Sequence, residues 1–336
     1  MWRETTKHQR NRIIWEEEFE DFVPEKVLDF HVHVYHAETI PPDCEPYSCA
    51  GHPLPRYDLN MLSEDLAELY PGRETSAVIF GTPHVEYDRE RNNAYVAEAA
   101  DKKRFFPLRL FDPVTDTPET LEPDLASKRF LGLKPYLNYV RKEDPNEVEI
   151  REMLPDWAME IVNEHGLLVM LHIPRKQRLA DPLNQEQLVE LCRTYPKAQI
   201  VLAHVGRAYF LKNVEGNLDS LVDLPNLYYD LAMVSNPEVL EYLFTKAPHN
   251  RILYATDLPI AVAPGKSVEI NNQYTYVTPV PWHLSISDDH GKLVFTSFLY
   301  EELRGIRKAV ERCGLKKDVV EAVFYGNGRR LLDSVS

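Results

Sequence analysis

Four cysteines in a chain of 336 residues are too few to build a disulfide framework, so a reducing compartment, the cytoplasm, is the expected setting. No apolar run approaches the roughly 20 residues that span a bilayer, which argues against a membrane-spanning chain. Residues 1–20 are polar and charged and lack the apolar core of a secretory signal. Basic charge is also in deficit: 38 Lys and Arg stand against 53 Asp and Glu, a formal net charge of −15. Nucleic acid and anionic membranes call for a basic face, so neither is expected as a partner. The chain also lacks any repeat or low-complexity tract that would divide it.

The chain does contain a rhythm. Apolar runs at 27–30, 77–80, 105–110, 130–134, 167–172, 199–204, 227–231 and 251–257 read as strands. Stretches of helical character at 61–70, 92–101, 153–165, 184–195 and 238–245 fall between them. Near-continuous apolar runs fit strands buried on both faces, and strand–helix alternation implies right-handed crossovers and a parallel sheet. Eight such units close naturally into a barrel. The sequence therefore predicts an α/β fold, a (β/α)8 TIM barrel occupying 26–336 as one domain. An N-terminal arm, 1–25, precedes it, and long insertions follow strands 1 and 8. The arm carries Trp15-Glu16-Glu17-Glu18-Phe19-Glu20, whose acidic run reads as a solvated face. The first insertion holds Cys44, Cys49 and His52 with His36 upstream, a weak zinc pattern because no second cysteine pair accompanies it. The second holds Tyr274, Tyr276, Trp282 and His283, aromatics suited to a pocket wall or to a contact in a homo-oligomer.

Polar residues interrupt this pattern at the ends of the apolar runs. His31 and His33 end the first, and residues two apart on an extended backbone point to one side, where both imidazoles can meet a metal ion. Alone, such a pair is as readily a strand end with two half-exposed histidines. Lys134, however, ends the fourth run, His172 the fifth, His204 the sixth and Asp257 the eighth. In a parallel barrel these ends share one rim, where such proteins place their chemistry. A set drawn from five strands is hard to explain as isolated core histidines.

The run Asp29-Phe30-His31-Val32-His33, with His172, His204 and Asp257 after later strands, resembles the amidohydrolase superfamily. Within it the likeness is to the amidohydrolase-related (amidohydrolase 2) branch, which includes lactonases, other metal-dependent hydrolases and nonoxidative decarboxylases. Ile252-Leu253-Tyr254-Ala255-Thr256-Asp257-Leu258-Pro259 resembles its eighth-strand pattern, and Tyr325-Gly326-Asn327-Gly328-Arg329-Arg330-Leu331-Leu332 its closing helix. The resemblance implies that His31, His33, His172 and Asp257 hold one divalent ion. Zinc is the simplest choice, with manganese, iron and cobalt as alternatives. It further implies that Asp257 takes a proton from a metal-activated water, with His204 beside it as base or electrophile, or as a further ligand as in binuclear relatives.

In those binuclear relatives a fourth-strand lysine is carbamylated and bridges two ions. The context Gly132-Leu133-Lys134 resembles the mononuclear version, so Lys134 is expected either to pair a substrate anion or to be salt-bridged in the rim. Arg207 is a candidate clamp for a substrate carboxylate, or else a surface arginine. Arg109 and Tyr136 sit at or just past strand ends and are candidates for facing a small-molecule substrate. The implied activity is hydrolysis of a lactone, ester or amide. Nonoxidative decarboxylation of an aromatic or unsaturated acid is the alternative, and the intact Asp-x-His-x-His does not decide between them. A barrel that had lost catalysis would show substitutions at the ligand positions, and none is missing.

Overall fold

After an exposed Lys26, seven consecutive residues of β1 (Lys26–His33) are buried, as a strand covered on both faces requires. The computed structural model describes residues 9–335; the first eight residues of the expected arm, and Ser336, lie outside the described residues. Around the barrel follow β2 (Glu74–Phe80), β3 (Phe105–Pro107 and Arg109–Phe111), β4 (Gly132–Pro135) and β5 (Leu168–Leu171). β6 (Gln199–Leu202), β7 (Leu227–Asp230) and β8 (Ile252–Leu253) complete the series. Each pairs in parallel with the one before. At the interruption in β3, Leu108 N–H still donates to the Ile79 carbonyl at 2.9 Å, so the two halves face β2 and β4 in turn.

The segment after β8 closes the ring onto β1. Phe30 N–H donates to the Tyr254 carbonyl (2.9 Å), Asp257 N–H to that of His31 (2.9 Å) and His33 N–H to that of Leu258 (2.8 Å). Val32 and Leu258 form a parallel bridge across the same seam. The architecture is the (β/α)8 barrel that the alternation predicts.

The outer layer is α1 (Leu59–Leu69), α2 (Arg89–Ala99), α3 (Pro118–Ala126), α4 (Asp156–His165), α5 (Pro182–Thr194), α6 (Pro237–Lys246), α7 (Phe298–Cys313) and α8 (Asn327–Val335). Several starts are explained by their caps. Asp58 accepts from two N–H groups of α1, Asp181 from two of α5 with Pro182 at the first helical position, and Ser297 from Tyr300 N–H of α7. No long helix follows β6; short helical turns, His204–Arg207 and Leu211–Val214, take its place. Gly132 lets β4 approach β5 closely, since a Cβ there would lie 2.1 Å from the Leu168 carbonyl oxygen.

Both expected insertions are present. The one after β1 forms a small hairpin, Tyr47–Cys49 with His52–Leu54, and the one after β8 forms a sheet of Lys266–Ile270, Gln273–Thr278 and Ser285–Ser287. The cysteines of the first insertion do not gather: Cys49 Sγ lies against the Pro259 carbonyl (3.5 Å) and Cys44 Sγ 4.0 Å from that of Glu86. The described part of the arm, Gln9–Ile14 and the turn Trp15–Phe19, packs on the barrel. Trp15 stands edge-on to Tyr70 at 6.1 Å, and Phe19 lies 5.2 Å from Tyr300. Its acidic run is not wholly solvated, because Glu18 forms a 2.6 Å ion pair with Arg304 of α7. No helix of the described residues is long and apolar enough to cross a membrane.

Candidate metal centre

The register of β1 against β2 shifts between Asp29 and Val32, an irregularity that brackets His31. Such bulges re-aim side chains beside functional sites. Asp29 fixes this one: it accepts from the N–H groups of His31 (3.1 Å) and Thr256 (3.0 Å) and from the Thr256 hydroxyl. Burial pushes the Asp29 carboxyl up to about 7, against the pull of those hydrogen bonds. The result joins β1 to the segment after β8 and presents His31, His33 and Asp257 together. His31 Nε2 lies 3.4 Å and His33 Nε2 3.2 Å from Asp257 Oδ1.

The protonation pattern of these rings follows from their other contacts. His33 Nδ1 faces the Gly81 carbonyl (2.9 Å) and His204 Nδ1 that of Ala232 (2.8 Å). A carbonyl only accepts, so both Nδ1 atoms carry a proton, and in the neutral ring it is Nε2 that offers the lone pair. His31 Nδ1 faces Asp230 Oδ2 at 2.9 Å, with the same consequence. Burial and nearby Lys134 push the His31 imidazolium well down, and burial brings His204 down to about 4. Asp257 would be raised by burial, but His31, His33 and His204 outweigh it and hold the carboxyl well below its usual range.

Two imidazole nitrogens and a carboxylate oxygen thus converge, a group of side chains that could hold a cation. Donors held tetrahedrally about 2.1 Å from one ion sit roughly 3.4 Å apart, which matches this spacing. The donor set fits a divalent ion, and outer partners such as Asp230 and Gly81 orient ligands in the usual manner of metal sites.

His172, the fourth expected ligand, is not drawn into this trio. Its ring centroid lies 5.3 Å from Tyr136 and 5.4 Å from His204, and its Nδ1 is buried without a hydrogen-bond partner. His204 instead groups with His31 and Asp230. It stands on a turn in which His204, Val205, Gly206 and Arg207 all have φ between 53° and 67°. Left-handed backbone costs L-residues about 1–2 kcal/mol each, so the surroundings must over-determine it. They do: Asp230 Oδ1 accepts the His204 N–H at 2.7 Å, and the Ala203 carbonyl accepts from Gly206 and Arg207. The Ala232–Met233 peptide that holds His204 is itself anchored by Glu302 of α7, whose Oε2 accepts the Met233 N–H at 2.8 Å.

Lys134 is fully buried, with Nζ 3.3 Å from His31 Nε2 and over the rings of Phe80 (4.8 Å) and Tyr136 (5.0 Å). Burial brings its ammonium down to about 7, although Asp230 and Asp257 pull the other way. The Tyr136 hydroxyl lies 3.2 Å from His33 Nε2. Arg207 is half-buried and donates to the Ile173 carbonyl at 3.1 Å, so it is not a freely solvated surface arginine. Arg109 turns away from the rim, into ion pairs with Asp116 (2.9 Å) and Asp124 (3.0 Å). Asp230 is the residue that sequence reasoning passed over. It is the last residue of β7, one before the end of its apolar run, and the criterion that picked out Asp257 would have found it there.

Fold and rim together define a class: parallel barrels that present histidine and carboxylate groups to a divalent ion. The chain belongs to the amidohydrolase family, whose Amidohydro_2 family model matches residues 28–333. No curated protein matches the sequence. Among solved structures it is similar to an amidohydrolase from Burkholderia multivorans with bound HEPES, at 13% identity and TM-score 0.60 over 91% of this chain and 99% of that one. It is also similar to amidohydrolase 2 from Bifidobacterium longum subsp. infantis, at 15% identity and TM-score 0.57 over 92% and 99%. A third is a 5-carboxyvanillate decarboxylase from Novosphingobium aromaticivorans with bound manganese and a nitrobenzoic acid ligand, at 14% identity and TM-score 0.55 over 94% and 98%. At these identities the likeness is one of fold. The family is one of enzymes, with decarboxylases as well as hydrolases among these neighbours.

Proposed function

We propose that this chain is a metal-dependent hydrolase of a small-molecule lactone, ester or amide bearing a carboxylate. The observation that carries this reading is the convergence of His31 Nε2 and His33 Nε2 on Asp257 Oδ1, at 3.4 and 3.2 Å, beside a neutral His204. We assign one zinc ion to His31, His33 and Asp257, with manganese as the alternative, and propose that His172, outside the trio here but with Nδ1 unpartnered, turns in as the fourth ligand. Such an ion supplies Lewis-acid polarisation and makes water acidic near neutral pH. Asp257, held ionised, accepts the proton of the attacking water, and His204, with Nε2 unprotonated, receives or orients a proton next to it. Lys134, Tyr136 and Arg207 orient the substrate. We place it in the cytoplasm, a setting that a chain with only four cysteines suits.

Decarboxylation of an aromatic acid is the second reading, favoured by the aromatic mouth of Tyr136, Tyr209 and Tyr274. One experiment separates the two. Lactones, esters and hydroxybenzoates are offered to metal-loaded protein in water enriched in oxygen-18 or deuterium. Hydrolysis places one oxygen-18 in the product, whereas decarboxylation releases carbon dioxide and places deuterium on carbon. Elemental analysis beside His31→Ala tests the site: about one equivalent of divalent metal, lost in the variant, is expected. Absence of metal after reconstitution would overturn the reading.

A further inference from the structure

Several buried and rim arginines of this chain have a carboxylate, and buried Arg251 is satisfied instead by the Val222 and Leu224 carbonyls. Arg109 has Asp116 and Asp124, Arg141 has Asp112, and Arg175 has Asp181. Arg178 and Arg207 do not: among the described residues neither forms an ion pair. Arg178 follows β5 with φ at 59°, and its Nε and Nη1 atoms are buried without hydrogen-bond partners. Arg207 spends one Nη1 bond on the Ile173 carbonyl. The two loops pack together, since a Cβ on Gly206 would lie 2.8 Å from Leu179 Cδ1. The two guanidinium groups feel each other's charge, which together with burial pushes Arg207 down. Two adjacent cations with idle donors form a site that lacks its anion.

The surroundings give that anion a shape. Arg178 Cζ lies 4.3 Å from the ring centroid of Tyr274, on the second insertion, and 5.3 Å from that of Tyr209. Those rings stack at 4.3 Å, and Tyr209 reaches to 5.8 Å from the His204 ring. A flat wall therefore runs from the guanidinium pair to the candidate metal centre.

We propose that Arg178 and Arg207 form a carboxylate subsite against the Tyr209–Tyr274 wall, so that the substrate carries a carboxylate remote from the reacting bond. The proposal rests on reading His31, His33 and Asp257 as the reacting end, but it holds for hydrolysis and decarboxylation alike. Guanidinium forks suit the planar, bidentate carboxylate, and the tyrosine wall suits a conjugated body behind it.

The test is calorimetric titration of the full chain with isophthalate, a planar dicarboxylate, and with its neutral diamide. The wild type is expected to bind isophthalate saturably and the diamide at least tenfold more weakly. Arg178→Gln alone, and with Arg207→Gln, should weaken isophthalate at least tenfold while metal content and far-UV circular dichroism stay unchanged. In the His31→Ala background the same arginine-dependent difference should persist. That arm separates failure of the subsite from failure of the metal assignment. No saturable isophthalate binding, equal binding of the diamide, or unchanged affinity in Arg178→Gln would overturn the proposal.

Discussion

Asp230 serves three partners with two oxygens. Oδ2 accepts the proton of His31 Nδ1, while Oδ1 accepts the N–H groups of His204 and Ala232. It therefore sets the tautomer of one candidate ligand and the position of the candidate base. Asp230→Asn keeps the volume but loses the charge that makes His31 a better donor. Loss of such a partner costs about 10–100-fold in metal affinity. We expect that loss for Asp230→Asn in competition with a chelator, and an unchanged affinity would remove the assigned role. Side chains of this kind are legible in a sequence only partly. His31 and His33 stand out through their spacing, and Asp257 through its place at a strand end. Gly81 and Ala232 act through backbone carbonyls, which leave no mark on residue type. Arg109 misleads because a strand-end position does not say which face a side chain takes.

Among the elements, the strands were the readable part, since burial on both faces leaves near-continuous apolar runs. α3 was less so, because Pro123 lies inside it. Nor does the segment after β6 announce that its helix gives way to a left-handed turn. That turn is specified by tertiary contacts from β7 and the loop after β5, not by local propensity. Close backbone approach is similarly invisible until strands are placed. Gly132→Ala should destabilise the protein by about 1–3 kcal/mol, the usual cost of overpacking, because the Leu168 carbonyl cannot retreat without breaking the β4–β5 ladder. A urea midpoint equal to that of the wild type would show that the strands separate freely.

The whole molecule carries its own sensitivity to pH. Glu302 is fully buried, with Oε2 bonded to Met233 N–H and Oε1 unpartnered, and burial raises its carboxyl well above the usual range. A raised carboxyl holds its proton more tightly folded than unfolded. Its stabilisation is complete below the unfolded value and is lost as pH rises through the folded one. Glu302→Gln should therefore gain in melting temperature relative to the wild type as pH rises from 5 to about 9, and a constant difference would contradict this. The arm contributes as well. Trp15→Ala removes a buried ring from between Tyr70 and Arg73 and should cost about 3–5 kcal/mol in denaturant unfolding, whereas a loss under about 1 kcal/mol would mark the arm as dispensable. One feature of the barrel reaches further. The seam between β1 and the segment after β8 joins residues as far apart as Asp29 and Thr256, 227 positions along the chain, and it is this seam that brings Asp257 to the two histidines. On the ribosome, the early histidines emerge long before their carboxylate partner. A nascent chain thus displays two isolated imidazoles until more than 220 further residues have been made, and the three-donor set comes into being only when the last strand docks.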